Sequence, residues 1–333
     1  MDLDSSKLWF GVSTAVILVM IYIADISKFI SAIRSADTVL LIPAYVTGLL
    51  VFVVYSAVWH RFFRKMKLDL RFYDTIRMFM AGHFMNSITP LGQFGGEPFM
   101  AYIVNKNSDA SYEKAFSAVL SADLVNAVPG FTFLLGGVAY LLFLGSIKDI
   151  VIQLAFIGVI SAVIIGLFVY LLWFKSGTVE KMILRFLDRI TSVIGRGKHL
   201  VKSAEERFER TEKAFKSIGE DPKHLLGTIL ISHITFVLQT LCLYYTLRAV
   251  GILDPTFTSI YFILVLSSLA SYSPTPGGSG TFEAAMAGMI TTFIGADFAV
   301  GLVAAIIFRT TTYWPGILIG YFALNTLNGG RRE

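Results

Sequence analysis

Ser273-Pro-Thr-Pro-Gly-Gly-Ser-Gly-Thr-Phe-Glu283 interrupts an otherwise apolar stretch, and Ser87-Ile-Thr-Pro-Leu-Gly-Gln-Phe-Gly-Gly-Glu97 interrupts another. At a constant offset of 186 residues the two share Ser87/Ser273, Thr89/Thr275, Pro90/Pro276, Gly92/Gly278 and Glu97/Glu283. The same diagonal continues through Met100/Met286, Ala101/Ala287, Ala118/Ala304, Pro129/Pro315 and Gly130/Gly316. Apolar residues align easily by chance. Thr-Pro-x-Gly-x4-Glu occurring twice, with Pro-Gly further along one ungapped diagonal, marks an internal duplication. The offset also carries Val39–Trp59 onto Leu225–Tyr245, so each repeat reads as helix, broken hairpin, helix.

Of the 333 residues, 55% are apolar and 15% charged, against about 45–50% and about 25% in soluble domains. Runs almost free of charge recur at Leu8–Ala24, Val39–Trp59, Ile150–Phe174 and Phe257–Ser273. About 20 apolar residues cross a bilayer as helix. An all-α polytopic membrane protein follows, and a soluble enzyme or nucleic-acid binder is excluded. The net charge of +5 is no nucleic-acid signal, because the basic residues cluster in a few polar segments. Leu8–Ala24 is preceded by Asp2, Asp4 and Lys7 and followed by Asp25, without a small-x-small cleavage site. It reads as a retained first helix rather than a secretory signal. Cys242 alone cannot form an internal disulfide, and no Cys/His spacing suggests a metal. No cofactor is expected.

Between His60 and Arg77 six basic residues stand against two acidic ones, and from Lys175 to His224 twelve stand against eight. With Arg331-Arg332, these segments belong in the cytoplasm by the positive-inside rule. The parity holds only if Met78–Lys106 and Thr256–Gly295 each enter and leave on one side. The count is six spanning helices plus two broken hairpins, re-entrant or fully spanning. The first hairpin enters from the cytoplasm and the second from outside, so the repeats are inverted. The expected organisation is a first helix with its outer loop (1–37), membrane repeat 1 (38–149) and a connecting helix (150–174). A cytoplasmic amphipathic linker (175–223) and membrane repeat 2 (224–333) follow. Val179, Met182, Ile183, Phe186, Leu187 and Ile190 set the linker's helical period. A partner-docking or coiled-coil surface is the alternative there.

Inverted repeats with interrupted helices mark transporters, whose sites lie at the repeat interface near the midplane. Gly/Pro tips leave backbone groups unpaired, which is tolerated only against protein or a wet cavity. The tips are therefore expected to face each other across the core. The candidate substrate-binding residues of the first tip are Asn86, Thr89, Pro90, Gly92, Gly96 and Glu97. Those of the second are Thr275, Pro276, Gly277, Gly278, Gly280 and Glu283. The helix beginning near each Glu offers free N–H groups and a positive dipole end. Each Glu either caps that helix or binds a cationic group or proton.

Asp123 and Arg309 occupy equivalent repeat positions with opposite charge, each in an apolar helix. They read as a structural ion pair, or Arg309 reads as a phosphate clamp whose planar fork suits oxyanions. As a clamp it is expected to be required for activity and largely dispensable for folding. Tyr313, one turn on, either stacks on substrate or packs helices. His83, Asn126, His233 and Gln239 read as interhelical hydrogen-bonding residues, and Gly316-x3-Gly320 as a helix-packing motif.

The Ser-x-Thr-Pro-Gly-Gly-x-Gly-x-x-Glu run at 273–283, the Asn86…Pro90…Gly96-Glu97 run and Arg309-x-x-x-Tyr313 together resemble a known family. It is the flippase-like membrane family, the transmembrane region of lysylphosphatidylglycerol synthases in its stand-alone form. The resemblance covers nearly the whole chain. It implies a flippase moving a phospho- or polyprenyl-phosphate-linked lipid between leaflets, or support of a lipid-linked glycan pathway. Where the resemblance leads one to expect an acid–Arg pair before the Pro129 region, this chain has Ala122-Asp123, which leaves the head group open. The sequence shows no counterpart of the synthases' cytosolic acyltransferase-like domain, so lysyl transfer is not expected. Without a Gly-x4-Gly-Lys-[Ser/Thr] loop, energy is expected from an ion, proton or lipid gradient. No nucleophile–base pairing is evident, and no enzymatic activity is expected. The alternatives are a membrane-embedded enzyme acting on lipid-linked substrates, and a scaffold holding a glycosyltransferase or lipid synthase through 175–222. The expected location is the cell membrane with both termini cytoplasmic, and the expected partner is a membrane lipid, not nucleic acid.

Overall fold

The computed structural model describes residues 26–88, 96–144, 218–273 and 275–329, with Tyr22, Ile160, Val163, Gly166, Leu167, Tyr170 and Lys216 in addition. The helix expected at Leu8–Ala24, most of 150–174 and of the linker 175–223, and Arg331-Arg332 lie outside the described residues. After a short α1 (Ile26–Arg34), the first repeat comprises α2 (Thr38–Lys65), α3 (Phe72–Ile88), α4 (Glu97–Lys106) and α5 (Tyr112–Leu144). The second comprises α6 (Pro222–Ala249), α7 (Phe257–Leu269), α8 (Thr281–Ile294), α9 (Phe298–Thr312) and α10 (Trp314–Gly329). Single 3-10 turns at Ala270–Tyr272 and Pro276–Gly278 lie between α7 and α8. Shifted by 186 residues, α2, α3, α4 and α5 fall on α6, α7 with its first turn, α8, and α9 with α10.

At 28 residues each, α2 and α6 are about 42 Å long, more than the ~30 Å of a bilayer's hydrocarbon. With Tyr112–Gly137 and Phe298–Leu327 they are the four helices long and apolar enough to cross among the described residues. Val39, Ile42, Val46, Leu49 and Val53 of α2 stand exposed at helical spacing, as do Leu226, Leu230, Ile234 and Val237 of α6. Continuous apolar stripes of this length suit hydrocarbon rather than water. The protein is a multi-pass membrane protein.

The first helices of the two repeats lie side by side and antiparallel. At one end the Asp37 N–H donates to the Ala249 carbonyl at 2.8 Å. At the other, Lys65 Nζ lies 2.8 Å from Asp221 Oδ2, and Arg61 Nε donates to Thr228 Oγ1. Asp37 and Asp221 are also the N-caps of α2 and α6, accepting from the Val39 and His224 N–H groups. Each cap residue thus holds the far end of its counterpart. Equivalent helices running in opposite directions require a two-fold axis across them, so the repeats are inverted.

The core divides in two. One part gathers Trp59, Phe62, Phe63, Met78, Met100 and Val119, and the other Leu243, Leu247, Ile263, Met286, Leu302 and Phe308. Ala44 of α2 lies in the second core and Val58 in the first, while α6 contributes Leu225 to the first and Phe236 to the second. The long helices pass from one core to the other, and the seam falls near their middle. Gly316 and Gly320 of α10 bring it against α3, where a Cβ on Gly320 would lie 2.3 Å from the Met80 carbonyl oxygen. The Gly-x3-Gly motif packs helices, as read.

Candidate functional site

A cavity of about 320 Å³ lies at this seam. Its polar lining includes Tyr55, Asn86, Asn126, Gln239, Ser268 and Arg309, drawn from six helices, and its apolar walls include Phe52, Phe236, Leu264 and Phe308. The second tip forms one edge through Gly277.

That tip is built from backbone conformations few residues tolerate. Gly277, Gly278 and Gly280 have φ of 56°, 69° and 87°, in the left-handed region that glycine enters at no steric cost. Gly277 is required twice over, since a Cβ there would lie 2.2 Å from the Tyr313 hydroxyl. Hydroxyls close the loop. Ser273 Oγ bonds Thr275 and Thr281, and Thr281 Oγ1 reaches the Gly278 carbonyl at 2.9 Å. Pro276, Gly277 and Gly278 are buried. Helices α7 and α8, of 13 and 14 residues, measure about 20 Å each, too short to cross separately.

Arg309 fastens the tip to α9. Its Nε donates to Glu283 Oε1 at 3.1 Å, its Nη2 to the Gly277 carbonyl at 2.9 Å and to Ser279 Oγ at 3.3 Å. The guanidinium lies 3.5 Å from the Tyr313 ring centroid, a cation–π contact. Glu283 Oε2 accepts from the Gly280 N–H at 2.7 Å, so this one carboxylate both caps α8 and binds a cation. Arg309 is 6% exposed and Glu283 2%. The Tyr313 hydroxyl lies 3.2 Å from the Ser87 carbonyl and 3.4 Å from that of Pro276. The end of α3 in the first hairpin and the tip of the second therefore meet through Tyr313; the loop of the first tip, 89–95, lies outside the described residues.

One expectation is corrected. Arg309 does not pair with Asp123, whose Oδ1 accepts from Trp59 Nε1 at 2.8 Å. Arg309 instead joins Glu283, Gly277 and Ser279. Of the sequence-derived candidates, Asn86, Gly277, Arg309 and Tyr313 line the cavity. Thr275, Pro276, Gly278, Gly280 and Glu283 build the tip behind them. Gly96 and Glu97 open α4, half-buried, and neither they nor Asp123 belong to the lining. Thr89, Pro90 and Gly92 lie outside the described residues.

Gln239 bonds Tyr55 across α6 and α2, and His233 bonds Thr132 across α6 and α5, as interhelical readings expect. Asn126 was missed as a lining residue. Its Oδ1 and that of Asn86 are buried without a partner among the described residues. The repeat carried the signal: Asn126 and Ala127 are the counterparts of Thr312 and Tyr313, and all four line the cavity.

A family model described as the lysylphosphatidylglycerol synthase TM region matches residues 9–320. A UPF0104 membrane protein of Methanothermobacter thermautotrophicus is 25% identical over 317 residues, covering 92% of this chain and 90% of the relative. A second from the same organism is 27% identical over 328 residues, covering 96% and 93%. A UPF0104 membrane protein of Pyrococcus horikoshii is 22% identical over 317 residues, 93% of each chain. No solved structure matches.

Proposed function

The chain belongs to the lysylphosphatidylglycerol synthase transmembrane-region family, and on that premise we propose that it moves a polar-headed lipid between leaflets. The observation that carries the reading is the polar cavity at the seam of two antiparallel repeats, edged by a buried glycine tip. A head group carrying phosphate, directly or through a polyprenyl chain, enters the cavity while its tails stay in the bilayer. The two-fold supplies the second state, because exchanging the roles of inverted repeats turns the cavity to the other side. The protein is then a transporter and not an enzyme, set in the cell membrane with both termini cytoplasmic. A glycosyltransferase or lipid synthase is the class of partner that would supply or use such a lipid.

The test is reconstitution in vesicles carrying a head-group-labelled fluorescent phospholipid, with an impermeant reductant added outside. Protein-dependent bleaching of the inner-leaflet probe is the expected outcome. Bleaching that stops at the outer leaflet with folded protein present sinks the reading.

A further inference from the structure

We infer that the hydrocarbon tails of the transported lipid leave the cavity sideways, through a gap between α5 and α7 flanked by Gly130 and Ser268, and that the α3–α10 seam is the closed counterpart of this opening. The inference rests on the transport reading and adds the path of the tails to it.

A head group held near the midplane must trail its tails through the protein wall, because hydrocarbon chains are not stable in a polar cavity. Some pair of helices has to part. Helices α5 and α7 touch at one level, where the Tyr261 hydroxyl donates to the Phe133 carbonyl and a Cβ on Gly137 would lie 2.8 Å from the Tyr261 ring. Seven residues back on α5 and seven on along α7 come Gly130 and Ser268. Two turns return a residue to the same helix face, so these two continue the faces that Gly137 and Tyr261 bring together. Here the helices have separated. A Cβ on Gly130 would meet nothing within 4 Å among the described residues, and both Gly130 and Ser268 are exposed and line the cavity. Gly130 lies inside the membrane span Tyr112–Gly137. Phe236, Leu264 and Val265 line the cavity beside the gap, apolar walls along which a chain can run.

The other repeat holds the same level shut. Shifted by 186 residues, Gly130 falls on Gly316 of α10 and Ser268 on Gly82 of α3. A Cβ on Gly316 would lie 2.8 Å from the His83 ring and 2.9 Å from that of Phe52. Further along α10, Tyr321 meets Phe84 edge-on with ring centroids 5.8 Å apart. The joints differ in the same sense. Helix α5 runs through Pro129 and stands clear of α7 at Gly130, whereas the chain breaks at Tyr313 before Pro315 and α10 lies on α3. Pro129 withholds the N–H that the Val125 carbonyl would accept, which loosens α5 beside the gap. Inverted repeats in opposite states are what alternating access requires, since one opening must be shut while the other is open.

The experiment uses the full chain in vesicles, with a nitroxide on Gly130→Cys or Ser268→Cys; Cys242 is buried and stays unlabelled. Collision with oxygen, which concentrates in hydrocarbon, is compared with collision with a water-soluble nickel chelate. Oxygen should relax both labels more strongly than the chelate. In the vesicle translocation assay Gly130→Phe should slow transport about tenfold or more by filling the gap, and Ser268→Phe reads the same effect if Gly130→Phe does not fold. Leu135→Phe, at a position that is 40% exposed and outside the lining, should stay within about twofold of the parent. Relaxation by the chelate equal to that by oxygen makes the opening aqueous and overturns the inference. Relaxation by neither means that another part of this chain or a second copy covers the gap, and overturns it too, as do folded phenylalanine variants that translocate at the parent rate. Oxygen access at both labels without translocation by the unaltered chain overturns the transport reading and leaves the lipid-filled gap standing.

Discussion

The two tip sequences share one pattern and differ at the positions that, in the second repeat, build the Arg309 site and edge the cavity. In the second repeat Arg309 meets Glu283 and Tyr313 lies over Gly277. In the first, the positions of Arg309, Gly277 and Tyr313 read Asp123, Leu91 and Ala127. Charge and size are reversed together. A large ring over glycine in one repeat corresponds to alanine and leucine in the other, and a cation for the tip's acid corresponds to a second acid. Asp123 turns instead to the Trp59 indole of α2. The identities that survive, Thr-Pro-x-Gly-x4-Glu and Pro-Gly, are those backbone geometry demands. The two-fold is thus a property of the helices, and the residues at the positions of Arg309, Gly277 and Tyr313 have diverged from it.

The sharpest way to break this comparison is to remove the cation from the second tip. Arg309→Gln strands the Glu283 carboxylate in a site where it is 2% exposed, and losing one partner of a buried pair costs about 3–5 kcal/mol. Adding Glu283→Gln should recover much of that stability, while translocation stays lost. Asp123→Asn in the first repeat should cost far less, because the amide oxygen still accepts from Trp59 Nε1. Thermal unfolding in detergent measures all four proteins. Equal losses for Arg309→Gln and Asp123→Asn would mean the tips are not asymmetrically locked.

Next in size is the ring over glycine. Gly277→Ala forces a φ of 56° on a residue with a Cβ and drives that Cβ into Tyr313, together costing about 2–4 kcal/mol. Tyr313→Ala, which installs the first repeat's residue, should relieve the overlap and leave the backbone strain. A double-mutant cycle on unfolding free energies should therefore show favourable coupling between the two substitutions. Additive effects would mean the ring can move aside, and the close approach at Gly277 would lose its meaning.

What was legible in the sequence follows the same division. Helix register, duplication and burial of the second tip were readable because glycine, proline and apolar runs report backbone demands directly. The offset that aligned Pro90 with Pro276 also aligns α2 with α6. Partner choice was not readable. Glu283 and Arg309 are 26 residues apart and Trp59 and Asp123 64, and nothing local distinguishes those pairings from Asp123 with Arg309. Nor did Pro129 and Pro315 foretell that α5 runs through while α9 ends at Tyr313, with φ −117°. Asn126 on an apolar helix fits an interhelical bond and a cavity wall equally well until the seam is known.

The smallest effect concerns the helix ends, where two cap carboxylates hold different partners. The Lys65 ammonium, then the His224 N–H, keep the Asp221 carboxyl below the usual carboxylate range, and Lys28, then the Ala299 N–H, do the same for Asp297. A carboxyl depressed in the folded state stabilises above its ordinary range and loses that contribution as pH falls through the folded-state value. Stability should thus be flat from neutrality to about pH 5 and decline below about pH 4. The carboxylate side chains are 41% and 46% exposed, so the decline is shallow and weakens further in salt. Asp221 joins the two repeats through α2 and α6, whereas Asp297 joins only α1 to α9. Asp221→Asn should therefore speed acid-side hydrogen exchange at the start of α6 and the end of α2 together, and Asp297→Asn should affect only α1 and the start of α9. If Asp221→Asn changes exchange only in α6, the Lys65 contact does not hold the antiparallel pair, and the backbone bond from Asp37 to Ala249 carries the junction by itself.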